Sequence, residues 1–143
     1  MNGTDMEQVK STLLFIQKEA DHREIKYDAA VVGAAVLVND GSVIGFNAPG
    51  LNGHEHCNTH AEIQAIDNFK ALRGGDLSGL VMVVNRSPCE YCAAHIIASG
   101  ITEVYCPPIR IGSKWRESQE IGRRIMEHVG INVVEIELEG VRG

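Results

Sequence analysis

Three side chains with sulfur or nitrogen donors occur at positions in the sequence that suit one metal ion: His60, Cys89 and Cys92. An imidazole nitrogen and two thiolates are ligands that suit zinc, and three protein ligands leave its fourth tetrahedral position open for water. Glu62 follows His60 by two residues, so its carboxylate can exchange protons with that water. These four residues predict a catalytic zinc centre.

The Cys89–Cys92 pair also has two simpler interpretations, a redox-active dithiol and half of a structural zinc site. A redox pair does not require the histidine and the glutamate, and the sequence has no second Cys-x-x-Cys to close a structural site. Thr59 and Glu62 form a capping-box pattern as well, which gives Glu62 an alternative structural role. The catalytic interpretation is favoured because one mechanism accounts for all four residues.

His-x-Glu followed downstream by Pro-Cys-x-x-Cys is the signature of zinc-dependent nucleobase deaminases, and the chain carries it at His60–Glu62 and Pro88–Cys92. The sequence therefore resembles the cytidine and deoxycytidylate deaminase superfamily. The resemblance implies Zn2+ as the cofactor and a zinc-bound hydroxide that attacks C4 of a cytosine while Glu62 shuttles protons. It also implies that backbone N–H groups near Ala61 and Cys89 hold the base.

Apolar periodicity and turn signals divide the chain into helices and strands. The predicted helices cover residues 4–22, 60–73, 88–100 and 113–129. The predicted strands cover residues 29–38, 42–46, 80–85, 101–106 and 131–138. The two segments of the signature therefore lie at the beginnings of the second and third helices.

Two of these helices carry apolar residues that should pack on a sheet. The apolar positions are Val9, Leu13, Leu14, Ile16 and Ala20 in the first helix, and Ala65, Ile66, Phe69 and Leu72 in the second. Thr4 and Glu7 are three residues apart, which predicts a capping box at the start of the first helix.

A helix separates the fourth and fifth strands, so their connection is a crossover and the two strands should run parallel. In the superfamily this arrangement is typical of the deoxycytidylate and tRNA-adenosine deaminase branch. We expect an α/β protein with a three-layer α/β/α cytidine-deaminase-like fold and a five-stranded mixed sheet. Residues 1–143 should form a single deaminase domain, since this length and 44% hydrophobic composition suffice for one core.

The segment Gly45-Phe46-Asn47 resembles the Gly-aromatic-Asn that precedes the zinc motif in the family. The resemblance implies that Asn47 contacts the sugar of the substrate, for which an amide offers both a donor and an acceptor. The alternative is that Asn47 only caps a turn, as asparagine often does.

Cations flank the predicted site. Arg86 and Ser87 stand directly before Pro88–Cys92, where many relatives have Leu-Glu, and Arg110, Lys114 and Arg116 follow the fourth strand. A 5′-phosphate needs such groups, and arginine can bind it with two parallel hydrogen bonds. Any one of these cations could be a solvated surface charge, but together they favour a nucleotide. Arg86, Ser87 and Arg110 are thus candidate substrate-binding residues, together with Asn47 and Ala61.

The loop before the first signature segment contains His54, His56 and Cys57, and some deoxycytidylate deaminases bind a second zinc nearby. Three ligands within four residues would hardly reach one tetrahedral ion together, and no fourth ligand is evident. Solvated histidines that line the mouth of the site are the favoured interpretation.

Composition excludes several classes of protein. With 13 basic against 19 acidic residues, the formal charge is −6, and no basic stripe suggests binding to long nucleic acid. No apolar run approaches the length of a membrane span, and the first residues show no signal-peptide pattern. We expect a cytoplasmic protein with reduced thiols that does not bind membranes, and the family implies a homo-oligomer.

The function that the sequence predicts is hydrolytic deamination of a small cytosine nucleotide, with dCMP converted to dUMP and ammonia. The enzyme alternatives are a deaminase of a free nucleoside or base (cytidine, deoxycytidine, cytosine or a purine) and a tRNA-adenosine deaminase, which the negative charge disfavours. A non-catalytic zinc-stabilised binding module is a third alternative. An intact Glu62 and an open coordination position argue against it, because a structural site needs neither.

Overall fold

The computed structural model describes residues 4–27, 31–39, 41–47 and 60–141. The helices in these ranges are α1 (Met6–Tyr27), α2 (Ala61–Arg73), α3 (Glu90–Ser99) and α4 (Arg116–His128). The strands are β1 (Gly33–Val38), β2 (Gly41–Phe46), β3 (Val81–Val84), β4 (Glu103–Cys106) and β5 (Asn132–Glu135).

The five strands form one mixed sheet in the order β2-β1-β3-β4-β5. Strand β1 is antiparallel to both β2 and β3, whereas β3, β4 and β5 are parallel to one another. Val104 of β4 pairs with Val133 of β5, so the predicted parallel pairing of the fourth and fifth strands is confirmed. The crossover through α4 makes this direction possible.

Helices cover both faces of the sheet. On one face, α1 packs Val9, Leu13 and Ile16 against inward residues of β1 and β3. On the other face, α2, α3 and α4 share a core that includes Ala65 and Met126. Strands β1 and β3 are therefore covered on both sides, which explains their nearly continuous apolar sequences. The predicted three-layer α/β/α architecture is confirmed.

The start of α1 differs from the prediction. The Oδ1 atom of Asp5 accepts hydrogen bonds from the backbone N–H groups of Glu7 and Gln8, at 3.0 and 3.4 Å. The Thr4 hydroxyl instead donates to Glu103 Oε2 at 2.9 Å. The predicted Thr4–Glu7 capping box is therefore wrong, because a long-range partner engages Thr4. The helix also continues to Tyr27, five residues beyond the predicted end at residue 22.

Two residues that we expected in buried stripes are exposed. Leu14 is 47% exposed because it lies beside, not within, the buried stripe of α1. Leu72 is 72% exposed in the last turn of α2, where residues 70–76 all face solvent. The third helix begins at Glu90 and not at Pro88. The ends of β1, β2, α2 and β4 are as predicted, and the remaining boundaries, apart from the end of α1, shift by one to four residues.

None of the described helices is both long and apolar enough to cross a membrane. Cys89, Cys92 and Cys106 are free thiols.

Candidate metal centre

The donor atoms of His60, Cys89 and Cys92 all lie within 4.8 Å of one another. The Nδ1 atom of His60 is 4.0 Å from the Cys89 sulfur. In a tetrahedral zinc site the metal lies about 2.0 Å from nitrogen and about 2.3 Å from sulfur, so neighbouring ligand atoms are roughly 3.5 Å apart. The three side chains therefore fit a zinc ion with small adjustments, and they leave a fourth position for another ligand.

The ligand-bearing segments lie at two helix N-termini on the same side of the sheet. His60 is the N-cap of α2, Cys89 is the N-cap of α3, and Cys92 lies in the first turn of α3. Both N-cap residues have extended backbones, and neither side chain caps its own helix among the described residues. Both helix dipoles place their positive ends here, which favours thiolates.

The two cysteines titrate as a coupled pair. A hydrogen bond from Cys92 is the main factor that lowers the pKa of Cys89 to about 5. The same interaction with Cys89, with burial in second place, raises the pKa of Cys92 far above its ordinary value. Without a cation, the two sulfurs thus keep one proton between them. A metal ion that both sulfurs ligate must displace that proton.

Glu62 lies beside the three candidate ligands and is only 5% exposed. Burial raises the pKa of its carboxyl from 4.5 to about 7, although its own backbone N–H opposes the shift. A carboxyl group that titrates near neutral pH can both accept and return a proton. The capping partner suggested by the sequence, Thr59, lies outside the described residues.

An aromatic row that sequence reasoning missed extends from the site to the surface. The His60 and Tyr91 rings meet edge to face with centroids 5.7 Å apart, and Tyr91 contacts His95 in the same way at 4.9 Å. Tyr91 is 57% exposed although it neighbours a candidate ligand. The Cys-x-x-Cys pattern leaves its two middle positions undefined, so the sequence carried no signal for this role.

Asn47 engages the backbone of the chain before β1. Its Oδ1 accepts a hydrogen bond from Val32 N at 2.8 Å, and its own N–H donates to Val32 O at 3.1 Å. Asn47 also lines an open cleft of about 500 Å³ with Arg23, Phe46 and Gln64. This cleft includes none of the three candidate ligands and is not where the metal chemistry lies. A sugar contact by Asn47 stays a prediction.

Two of the four candidate phosphate-binding cations have other partners. Arg116 forms an exposed ion pair with Glu120 at 2.8 Å, and the Lys114 ammonium lies 5.6 Å from the centre of the Trp115 ring. The interpretation of Arg116 and Lys114 as surface charges is therefore sufficient for both.

Arg86 differs from those two, whereas Arg110 is exposed. Arg86 is partly buried, and burial is the main factor that lowers its pKa. The positive charge of Arg110 lowers it further, while Glu24 and Glu62 oppose the shift. Arg86 thus lies close enough to Arg110 and to Glu62 for their charges to affect its pKa.

In the structure, Ser87 is hydrogen-bonded to residues of α4. It is 3% exposed, its hydroxyl accepts a hydrogen bond from Arg123, and its carbonyl accepts one from Gln119. Its proposed contact with substrate stays a prediction. The possible second zinc site at His54, His56 and Cys57 lies outside the described residues.

The comparisons with known proteins agree with this geometry. The model of the cytidine and deoxycytidylate deaminase zinc-binding region matches residues 6–107. A curated protein of Aliivibrio fischeri, described as an uncharacterized deaminase in the luxG 3′ region, is 35% identical over 82 residues. The match covers 56% of this chain and 53% of that protein, so the chain spans about half the length of this relative.

Two solved structures show the same fold. The dCMP deaminase of cyanophage S-TIM5, in complex with dCMP and dUMP, superposes with a TM-score of 0.68 at 19% identity. The match covers 94% of this chain and all of that one. A variant of NE0047 in complex with 8-azaguanine superposes with a TM-score of 0.66 at 24% identity, covering 86% of this chain and 73% of that one.

Proposed function

The chain belongs to the cytidine and deoxycytidylate deaminase family, and on that premise we propose that it is a zinc-dependent hydrolytic deaminase of a small cytosine nucleotide, with dCMP as the substrate and dUMP and ammonia as the products. The observation that carries the proposal is the convergence of His60, Cys89 and Cys92 beside a buried Glu62. A binding module with a purely structural metal would gain nothing from a desolvated carboxyl group at that point.

Zinc, when bound by His60, Cys89 and Cys92, supplies Lewis-acid activation of water near neutral pH. The carboxylate of Glu62 takes one proton from the water that adds to C4 of the cytosine ring. Glu62 delivers that proton to the ring nitrogen, then takes the second proton from the hydroxyl now on C4 and delivers it to the departing amino group, so that the C4–N bond breaks, a C4 carbonyl forms and ammonia leaves. The buried position of Glu62 beside the candidate ligands places its carboxyl where it can take up and return these protons.

In this proposal, groups around the Glu62 carboxyl orient the substrate. The backbone N–H groups near Ala61 and Cys89 would hold the base, as the family resemblance implies. Ala61 is 1% exposed, so an N–H group at that point is shielded from bulk solvent.

The nucleotide specificity in the proposal rests on Arg86 and Arg110. Two guanidinium groups close enough to repel each other gain from an anion that binds both, and arginine binds phosphate in a bidentate manner. The cyanophage dCMP deaminase was crystallised with nucleotides, which supports a phosphate on the substrate. The fold is also shared with NE0047, whose complex contains a purine base analogue, so deamination of a free base is the second candidate.

Ammonia release from dCMP, deoxycytidine, cytosine and guanine tests the proposal. Loss of a charged phosphate contact costs roughly 2–4 kcal/mol, so kcat/KM should be about 30- to 1,000-fold higher for dCMP than for deoxycytidine. Arg86→Ala and Arg110→Ala should reduce that ratio, whereas the exposed Arg124→Ala should not change it. Equal rates for nucleoside and nucleotide would refute the nucleotide specificity alone. Release of ammonia from none of the four would refute the deaminase assignment.

A single domain, a homo-oligomer, a cytoplasmic location and the absence of long nucleic acid as a partner stay predictions. Sedimentation of the purified protein would test the oligomeric state directly.

A further inference from the structure

One face of α4 is directed at the segment that carries a candidate zinc ligand. Ser118, Gln119, Gly122 and Arg123 follow the spacing i, i+1, i+4 and i+5, which places them side by side on the helix. Each of them contacts, or closely approaches, the segment 87–90, in which Cys89 lies. We call these four residues the α4 platform.

Three hydrogen bonds join the α4 platform to this segment. Gln119 Nε2 donates to the Ser87 carbonyl at 3.1 Å, and Arg123 Nη2 donates to the Ser87 hydroxyl at 3.0 Å. The backbone N–H of Glu90 donates to Ser118 Oγ at 3.1 Å. The bonds thus hold the segment on both sides of Cys89.

Gly122 supplies the close approach at the centre of the platform. A Cβ atom at this position would lie 2.7 Å from the Pro88 carbonyl oxygen and 2.9 Å from the carbonyl carbon and oxygen of Cys89. All three are backbone atoms, so they could not rotate away as the end of a flexible side chain could. Only glycine allows α4 to support Cys89 at this distance.

The segment needs such support because it makes few backbone hydrogen bonds of its own within the described part of the chain. Pro88 has no N–H, and the first helical bond of α3 runs from Ala93 N to Cys89 O at 2.9 Å. The Cys89 side chain is directed at the metal centre and does not cap α3.

The burial of Gln119 indicates that its side-chain N–H group has a structural role. Gln119 is 3% exposed, and its Oε1 atom has no hydrogen-bond partner among the described residues. Leaving that oxygen unpaired costs stability, and the compensating interaction is the bond from Nε2 to the Ser87 carbonyl. An apolar side chain would avoid this cost, but it could not hold the segment.

Arg123 connects the platform to the sheet. Its side chain is only 15% exposed and its guanidinium pairs with Glu135 of β5, while Nη2 also approaches the Cys106 sulfur of β4 at 3.4 Å. The side chain is therefore fixed at several points before it reaches Ser87.

We propose that the α4 platform positions Cys89 for metal binding, with Gln119 and Gly122 as the main positioning residues. The inference rests on the proposed function in one respect, that Cys89 is a zinc ligand. Replacing a group that hydrogen-bonds a metal ligand typically changes metal affinity by about 10- to 100-fold, and we expect an effect of this size from residues that hold the ligand's backbone.

Zinc affinity of the full chain, measured by competition with a chelator, tests the proposal. Gly122→Ala and Gln119→Leu should each weaken zinc binding about 10- to 100-fold and alter the visible absorption of the Co2+-substituted protein, which reports tetrahedral geometry. The matched controls are Gly75→Ala, where a Cβ meets nothing within 4 Å, and the exposed Arg124→Ala. Both controls should stay within twofold of the native affinity.

The outcomes separate this inference from the proposed function. If Cys89→Ser loses zinc while both platform variants bind it within twofold and keep the native Co2+ spectrum, the platform is only structural packing and the inference is refuted. If Cys89→Ser keeps zinc, the ligand assignment itself is wrong. Should Gly122→Ala fail to fold, Gln119→Leu decides, because it adds no bulk to the contact.

Discussion

The two segments that form the metal centre have similar local structures, but different contacts hold them in place. The histidine segment (His60 and the first turn of α2) and the cysteine segment (residues 87–92) both lie at helix N-termini whose N-cap side chains make no cap bond among the described residues. Each also depends on one glycine. A Cβ on Gly45 of β2 would lie 2.4 Å from Ala65 N in α2, much as one on Gly122 would meet the cysteine segment.

The difference lies in what surrounds each glycine contact. The histidine segment is seated by direct packing of α2 on the sheet, with the Asn68 amide donating to Ile44 O at 2.9 Å. The cysteine segment is held by hydrogen bonds from α4, about 30 residues further along the chain. The chemical groups therefore come from two local motifs, whereas the position of the cysteine motif depends on residues of α4.

The largest effect is expected at the histidine segment, in Glu62→Gln. Turnover should fall about 10²- to 10⁴-fold, because glutamine cannot transfer protons, while zinc content and fold should remain native. Steady-state ammonia release, with metal analysis of the same sample, measures both. Activity within tenfold of native would mean that Glu62 is not the proton shuttle.

The seating of the histidine segment is tested by Gly45→Ala. The added Cβ meets backbone atoms at 2.4 to 2.9 Å, so the free energy of unfolding should fall by about 1–3 kcal/mol. Gly41→Ala in the same strand is the control, since a Cβ there meets nothing within 4 Å. Urea titrations that give both variants equal stability would contradict the close packing of α2 on β2.

A smaller effect is expected from Ser118→Ala at the cysteine segment. Loss of the acceptor for Glu90 N should lower the free energy of unfolding by about 1 kcal/mol, as loss of a helix cap does. Ser11→Ala is a suitable control because the exposed Ser11 hydroxyl donates to the Gln8 carbonyl of its own helix, at 3.2 Å. If the two variants unfold at the same urea concentration, α4 does not cap α3.

The smallest effect is expected away from both segments, in Arg116→Ala. The Arg116–Glu120 pair is about half exposed on both sides, so its loss should change the free energy of unfolding by less than about 0.5 kcal/mol. A larger loss in chemical denaturation would show that the start of α4 contributes more than a surface ion pair.

Much of the fold could be predicted from the sequence because its signals are local. The alternation of helices and strands, the crossover before β5 and the grouping of His60, Cys89 and Cys92 all follow from periodicity, turn residues and a motif. The apolar stripe of α1 was predictable as well, except for the exposed Leu14.

The rest depended on contacts between residues far apart in the chain. Thr4 bonds Glu103 and does not cap α1, and the Asn47 oxygen bonds the Val32 backbone, which no local pattern indicates. Gln119 and Arg123 are 32 and 36 residues from Ser87, and a helix sequence alone does not show which of its faces meets a ligand-bearing loop.

Zinc content tests the central claim most directly. The purified native chain should contain about one equivalent of zinc, and the Cys89→Ala/Cys92→Ala double variant should contain almost none, because only His60 then remains of the three donors. Zinc that is unchanged in the double variant would contradict the assignment of the metal centre and the deaminase mechanism built on it.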